Sequence, residues 1–179
     1  MKTEKVQKAS YAREVFDKLK AHKLAMLGVG VWILEILIVV FLPMIMNLDP
    51  YVSDYAAFDA APSAAHPLGT DSIGRDLFAR LIYGGRTSLL VGILSTLISL
   101  VIGVPLGLIA GYYRGAVEAV IMRVADVFMS FPSIVLILVL VSVLGPSVWS
   151  VTIVIGVLGW TSFARLIYAN VLSVMEKEY

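Results

Sequence analysis

TSLLVGILSTLISLVIGVPLGLIAGYY, residues 87–113, runs for 27 residues without a charge. As a helix rising 1.5 Å per residue it is about 40 Å long. A bilayer hydrocarbon core is about 30 Å thick, so the run crosses it with tilt or overhang. Small residues recur along it at every fourth position: Ser95, Ser99, Gly103, Gly107 and Gly111. Helices gain little hydrophobic energy by meeting in lipid, and close backbone approach matters more. The strict register therefore marks one face of this span as built for helix packing, beyond the general frequency of glycine in membrane helices.

Upstream, residues 47–86 form a polar connection with Pro50, Pro62, Pro67 and an Ala-rich tract at 56–65. From Asp71 the pattern changes. Ile73, Leu77, Phe78, Leu81 and Ile82 share a helical face, with Arg75, Asp76 and Arg80 off it. This predicts an interfacial helix at about residues 71–84, with Thr70 or Asp71 as its N-cap and a bend at Gly84-Gly85. Residues 24–46 form another apolar run with one charge, Glu35, near its centre. A central acid costs about 3 kcal/mol on the insertion scale, and each Leu, Ile, Val or Phe returns about 0.3–0.6 kcal/mol. Fourteen of those residues are present, so the span inserts. An intramembrane acid is a candidate proton or ion site. No basic residue lies in the apolar runs 24–46, 87–113 and 127–164, and none of them holds a second acid, which favours a helix–helix contact for Glu35. Residues 1–23 carry seven Lys or Arg, with Ala12, Val15, Phe16 and Leu19 at helical spacing. They read as a cytosolic amphipathic surface helix or a solvated basic tail.

Downstream, residues 114–126 are a short polar connection containing Arg114, Glu118, Arg123 and Asp126. The next 38 residues, 127–164, hold no charge and are interrupted by Gly145-Pro146-Ser147, a turn signal. Helices are predicted at 127–144 and 148–168, joined by the 145–147 turn, with Pro132 marking an entry or a kink in the first. Residues 169–179 form a polar tail. With the N-terminus inside, the inner segments carry 11 Lys or Arg and the outer ones 3. That asymmetry predicts four spans with both ends cytosolic. Trp149 and Tyr112-Tyr113 fall at span ends, where aromatic belts form.

The composition, 59% hydrophobic with a mean hydropathy of +0.90, predicts an all-α integral membrane protein. A net charge of +1 without a basic patch argues against a nucleic-acid partner. There is no cysteine, and His22 and His66 are too far apart for a zinc pair. Residues 69–76 come near a phosphate-loop pattern but carry Arg75 and Asp76 where Lys and a hydroxyl are needed, and lie on the outer side. The chain is therefore read as binding no cofactor, and not as an enzyme acting alone.

His66-Pro67-Leu68-Gly69-Thr70-Asp71, then Gly74-Arg75-Asp76, then Arg80-Leu81-Ile82-Tyr83-Gly84-Gly85-Arg86-Thr87-Ser88-Leu89, resembles the signature of the dipeptide/oligopeptide/nickel ABC importer permeases, specifically the second permease of the pair. Residues 107–112 and 126–133 are similar to the family too. The resemblance implies a type I importer permease fold with six spans in the complete subunit. It implies a second homologous permease, two cytosolic ATPases holding ATP and Mg, and an external substrate-binding protein, in a bacterial or archaeal inner membrane. The 47–86 segment and the 145–147 turn would face the binding protein. For residues 66–76 themselves, a structural cap and hinge is expected rather than direct substrate contact.

After the equivalent of Glu176–Tyr179 the family continues into a coupling helix that docks on the ATPase, with two further spans. The sequence stops at that lead-in, so it is expected to be a portion of the subunit or a truncated product, and not to transport alone. The leading expectation is a peptide importer permease. The alternatives are a nickel or other small-solute importer of the same family, a non-transporting four-helix scaffold or regulatory subunit and, more remotely, a proton-coupled carrier using Glu35.

Overall fold

The computed structural model describes residues 19, 20 and 22–176. The expected N-terminal surface helix, except for residues 19, 20, 22 and 23, and Tyr179 of the coupling lead-in lie outside the described residues. The described chain is all-helical: α1 Lys23–Met46, α2 Leu77–Tyr113, α3 Gly115–Met129, α4 Ser133–Leu144 and α5 Val148–Met175. Three helices (α1, α2 and α5) are long and apolar enough to cross a membrane, and a fourth crossing follows if the bent pair α3–α4 counts as one. Two compact units divide at residues 86 and 87.

The first unit holds α1, the 47–76 connection and the opening turns of α2. α1 ends at Asn47, which takes the left-handed conformation (φ 46°) and returns its N–H to the Pro43 carbonyl, as helix C-caps do. Of the α1 residues only Val39 and Pro43 are buried. A Val39 methyl packs on Gly85, 3.1 Å from where a Cβ would stand.

α2 corrects two expectations. There is no separate interfacial helix at 71–84 and no break at Gly84-Gly85; one helix of 37 residues runs from Leu77 to Tyr113. A mid-helix glycine costs only about 1 kcal/mol relative to Ala. Ala79 and Ile82 are buried in the turns just before the pair, and the helix continues through it. The N-cap is Asp76, whose Oδ1 accepts the Ala79 N–H at 2.9 Å. Thr70 and Asp71 are engaged elsewhere.

In the second unit α2 and α5 approach closely. Ser99 Oγ donates to the Gly156 carbonyl at 2.8 Å. A Cβ added to Gly103 would meet the Trp160 carbonyl, one on Gly107 the Ala164 carbonyl, and one on Gly111 the Val171 side chain. Buried Ser95 bonds back to Gly92 within α2, at 3.3 Å. The core is Ala125, Trp160 and Ala164, flanked by Ile102, Leu106, Ile121 and Phe128, with Phe128 edge-on to Trp160 at 6.1 Å.

Three further expectations are corrected here. The connection 114–126 is not a loop: α3 covers it. Its Ile121, Ala125 and Phe128 turn inward, while Glu118 and Asp126, eight residues apart on one face, reach Tyr168 and Arg165 of α5. The span expected at 127–144 is broken, with α3 and α4 meeting at 84°. Proline disfavours helical geometry in the residue before it and supplies no N–H, so Phe131 stays out of the helix, α3 stops at Met129 and Pro132 is the N-cap of α4. The last helix extends past 168 to Met175, because Val171, Leu172 and Val174 continue the apolar period and the Asn170 amide is absorbed by the Leu166 carbonyl. At its start Ser147 accepts the Ser150 N–H at 3.0 Å.

Candidate functional site

Most residues of the 66–86 signature converge on one polar cluster in the 47–76 connection. Asp71 is its centre. One carboxylate oxygen accepts the N–H groups of Ile73 (3.1 Å) and Arg75 (2.9 Å). The other accepts Arg75 Nε at 2.8 Å and Arg80 Nη1 at 2.9 Å. Burial pushes the Asp71 pKa up, but the backbone and guanidinium donors of Arg75 and the Ile73 N–H outweigh it and hold it at about 2. The stretch that resembles a phosphate loop is thus folded around a carboxylate of its own.

His66 ties the middle of the connection to the start of α2. Its Nδ1 lies 2.8 Å from Asp76 Oδ2, and its Nε2 lies 3.5 Å from Asp54 Oδ2. The Asp76 hydrogen bond above all, with Asp54 adding to it, raises the His66 pKa above its ordinary 6.5 against the opposing effect of burial. For Asp76, burial acts upward, but the Ala79 N–H and His66 outweigh it and hold the carboxyl below its usual range. Although three such side chains meet, no group of His, Asp or Glu among the described residues is placed to hold a metal ion.

The backbone is pinned by the same residues. Thr70 donates its hydroxyl to the Ala57 carbonyl and accepts the Ala60 N–H at 2.9 Å. Asp54 N–H reaches Gly74 O (2.8 Å), Asp59 N–H reaches Asp71 O (3.1 Å), and Leu77 N–H reaches Gly69 O (3.0 Å). Gly69 and Gly74 have φ of 78° and 79°. A Cβ there would strike the carbonyl oxygens of Ala60 and Asp54. Glycine is therefore required at both positions by conformation and by space.

The structure brings together His66, Gly69, Thr70, Asp71, Gly74, Arg75, Asp76 and Arg80. Pro67 lies exposed on the rim, and Arg86 is exposed and outside the cluster. Glu35 is exposed at the middle of α1 and meets no other candidate residue. Glu176 closes α5 as its C-cap. Sequence reasoning missed Asp54 as the second partner of His66. Eleven residues of irregular chain separate them, and no periodicity links positions across such a loop. It also missed the ties from α3 to α5, Asp126 to Arg165 and Glu118 to Tyr168, because charges flanking an apolar run read as a loop. Beside the α3–α4 bend lies a groove of about 270 Å³, lined by Met129, Ser133, Ile137, Gly159 and Ser162 among others.

Comparison with known proteins gives two family matches. Residues 103–179 match the binding-protein-dependent transport system inner membrane component, and residues 10–62 match the N-terminal TM domain of oligopeptide transport permease C. The dipeptide transport system permease protein DppC of Alkalihalophilus pseudofirmus is 40% identical over 167 residues, covering 93% of this chain and 55% of its own. The oligopeptide transport system permease protein OppC of Bacillus subtilis is 33% identical over 178 residues, covering 98% and 58%. The glutathione transport system permease protein GsiD of Pectobacterium atrosepticum is 41% identical over 126 residues, covering 70% and 42%. The chain spans about half the length of the curated relatives it matches.

Proposed function

The chain belongs to the binding-protein-dependent ABC permeases of the dipeptide and oligopeptide type, and from that premise we propose that it forms half of the membrane pathway of an ATP-driven peptide importer. The observation that carries this reading is the pair of family matches at the two ends of the chain, with relatives named for dipeptides, oligopeptides and glutathione. Those names favour a peptide cargo over nickel. In this reading a second homologous permease supplies the other half, an external binding protein delivers the peptide, and two cytosolic ATPases hold ATP and Mg and supply the work. This chain contributes no catalytic group.

Each part of the chain has a task in that cycle. The α2–α5 seam, held by backbone contact at Gly103 and Gly107, moves as one block, since close-packed helices shift together rather than deform. The break at Pro132 leaves backbone groups outside helical pairing. At membrane depth such backbone is tolerated where it is buried in protein or lines a water-filled cavity; in this reading the α3–α4 bend and its groove, with Ser133 and Ser162, line the peptide path. The far end of α5, at Glu176, leads toward the element that docks on the ATPase. The clasped 47–76 segment is the outer face offered to the binding protein.

The test is purification of the complete subunit from its own membrane in mild detergent, followed by native mass spectrometry. The expected particle contains one copy of this subunit, one different permease and two ATPases. A stable particle without any ATPase overturns the importer reading and leaves a scaffold.

A further inference from the structure

Both ring nitrogens of His66 face a carboxylate, Asp76 Oδ2 at 2.8 Å and Asp54 Oδ2 at 3.5 Å. A neutral imidazole has one N–H, so it can donate to one of these and must turn a lone pair toward the other. Only the imidazolium donates to both. The three groups come from distant places: Asp54 near the start of the connection, His66 in its middle, and Asp76 at the N-cap of α2. The neighbouring charges are Asp71, Arg75 and Arg80, paired with one another. Three carboxylates against two guanidiniums leave one negative charge, which a protonated His66 cancels. The remaining acids of the segment do not compete. Asp49 takes the N–H groups of Tyr51 and Val52, and Asp59 makes no contact with His66.

We propose that His66 is a pH-sensitive latch: protonated, it fastens the 54–76 segment to the first turn of α2, and on losing its proton it lets that segment loosen while the Asp71–Arg75–Arg80 knot stays tied. The direction of the response follows from the raised His66 pKa. A histidine bound more tightly as the cation in the folded state stabilises it fully below the unfolded value of about 6.5. That contribution disappears as pH rises through the higher folded value. The latch is therefore closed in acid medium and opens as pH rises through a midpoint above 6.5. Its release removes one tether and so lets the backbone bonds from Thr70 to Ala60 and from Asp54 to Gly74 open more often without unfolding the segment.

Hydrogen–deuterium exchange on the complete subunit in lipid nanodiscs, from pH 5.5 to 8.5 and corrected for the intrinsic pH dependence of exchange, tests this. Protection of the Asp54, Thr70 and Gly74 amides is expected to fall severalfold across one titration with its midpoint above 6.5, while amides of residues 103–107 stay unchanged. In His66→Gln the same amides are expected to lose this titration. In Asp54→Asn, which leaves the Asp76 cap intact, the midpoint moves down toward 6.5. Protection flat with pH in the wild type overturns the proposal, as does an unaltered titration in His66→Gln. If that variant does not fold, an unshifted midpoint in Asp54→Asn is the contradicting result.

Discussion

The 47–76 connection and the α2–α5 seam solve the same problem, fixing two pieces of backbone against each other, with opposite means. The connection has almost no regular structure and few buried apolar groups. It is held by carboxylates that collect donors: Asp71 takes four and Asp76 takes the Ala79 N–H and His66. The seam has the Ser99 to Gly156 hydrogen bond, and otherwise holds by removing side chains where backbones meet. In water the hydrophobic effect and charged networks are available, and a loop too short for a core uses the second. In lipid neither helps much, and van der Waals approach of bare backbone is what remains. Glycine serves both regions for different reasons. In the connection it supplies a left-handed conformation; in the seam it supplies space.

Changes at these glycines separate the two regions most strongly. Gly107→Leu drives a side chain into the Ala164 carbonyl and Ile167, and is expected to destabilise the subunit by about 3 kcal/mol or more. Thermal unfolding in detergent reads this, against Gly92→Leu, whose site is open and which should leave the melting point nearly unmoved. Gly74→Ala comes next, with about 1–2 kcal/mol from the left-handed backbone alone and more from the collision with Asp54. Its effect should appear as rapid proteolysis within 47–76 while the seam stays protected. Asp76→Ala removes the α2 cap, worth about 1 kcal/mol, and should raise exchange at the Phe78 and Ala79 amides without altering α5. The smallest effect is from acid. Asp71 has its pKa lowered from 3.8 to about 2, so its contribution is complete above about pH 4 and is lost as pH falls toward 2. Acid exposure should release the 71–80 amides locally and leave the seam, which contains no such carboxylate, as it was.

Much of this was legible in the sequence. Long apolar runs announced α1, α2 and α5, and the four-residue spacing of Ser99, Gly103, Gly107 and Gly111 announced a packing face without saying which helix it would meet. The cap-and-hinge reading of residues 66–76 pointed to the right segment. The interfacial-helix reading puts the N-cap at Thr70 or Asp71 and the structure puts it at Asp76, because only the fold decides which acid faces the free N–H groups of α2. The partnership of His66 with Asp54 was invisible, since it depends on the path of an irregular loop. The four charges within residues 114–126 give α3 the sequence of a polar connection. Two of them, Glu118 and Asp126, are spent on α5, and the sequence does not show that partner. The break at Pro132 was marked, but whether it opened the span or divided it depended on α3 being a helix.

Uptake of a radiolabelled dipeptide by cells with the gene deleted, and again after complementation with the complete gene, tests the central claim most directly. The account predicts that uptake is lost on deletion, is restored by the complete gene, and is not restored by the gene carrying Gly107→Leu. Undiminished uptake of dipeptides and longer peptides in the deletion strain would contradict it.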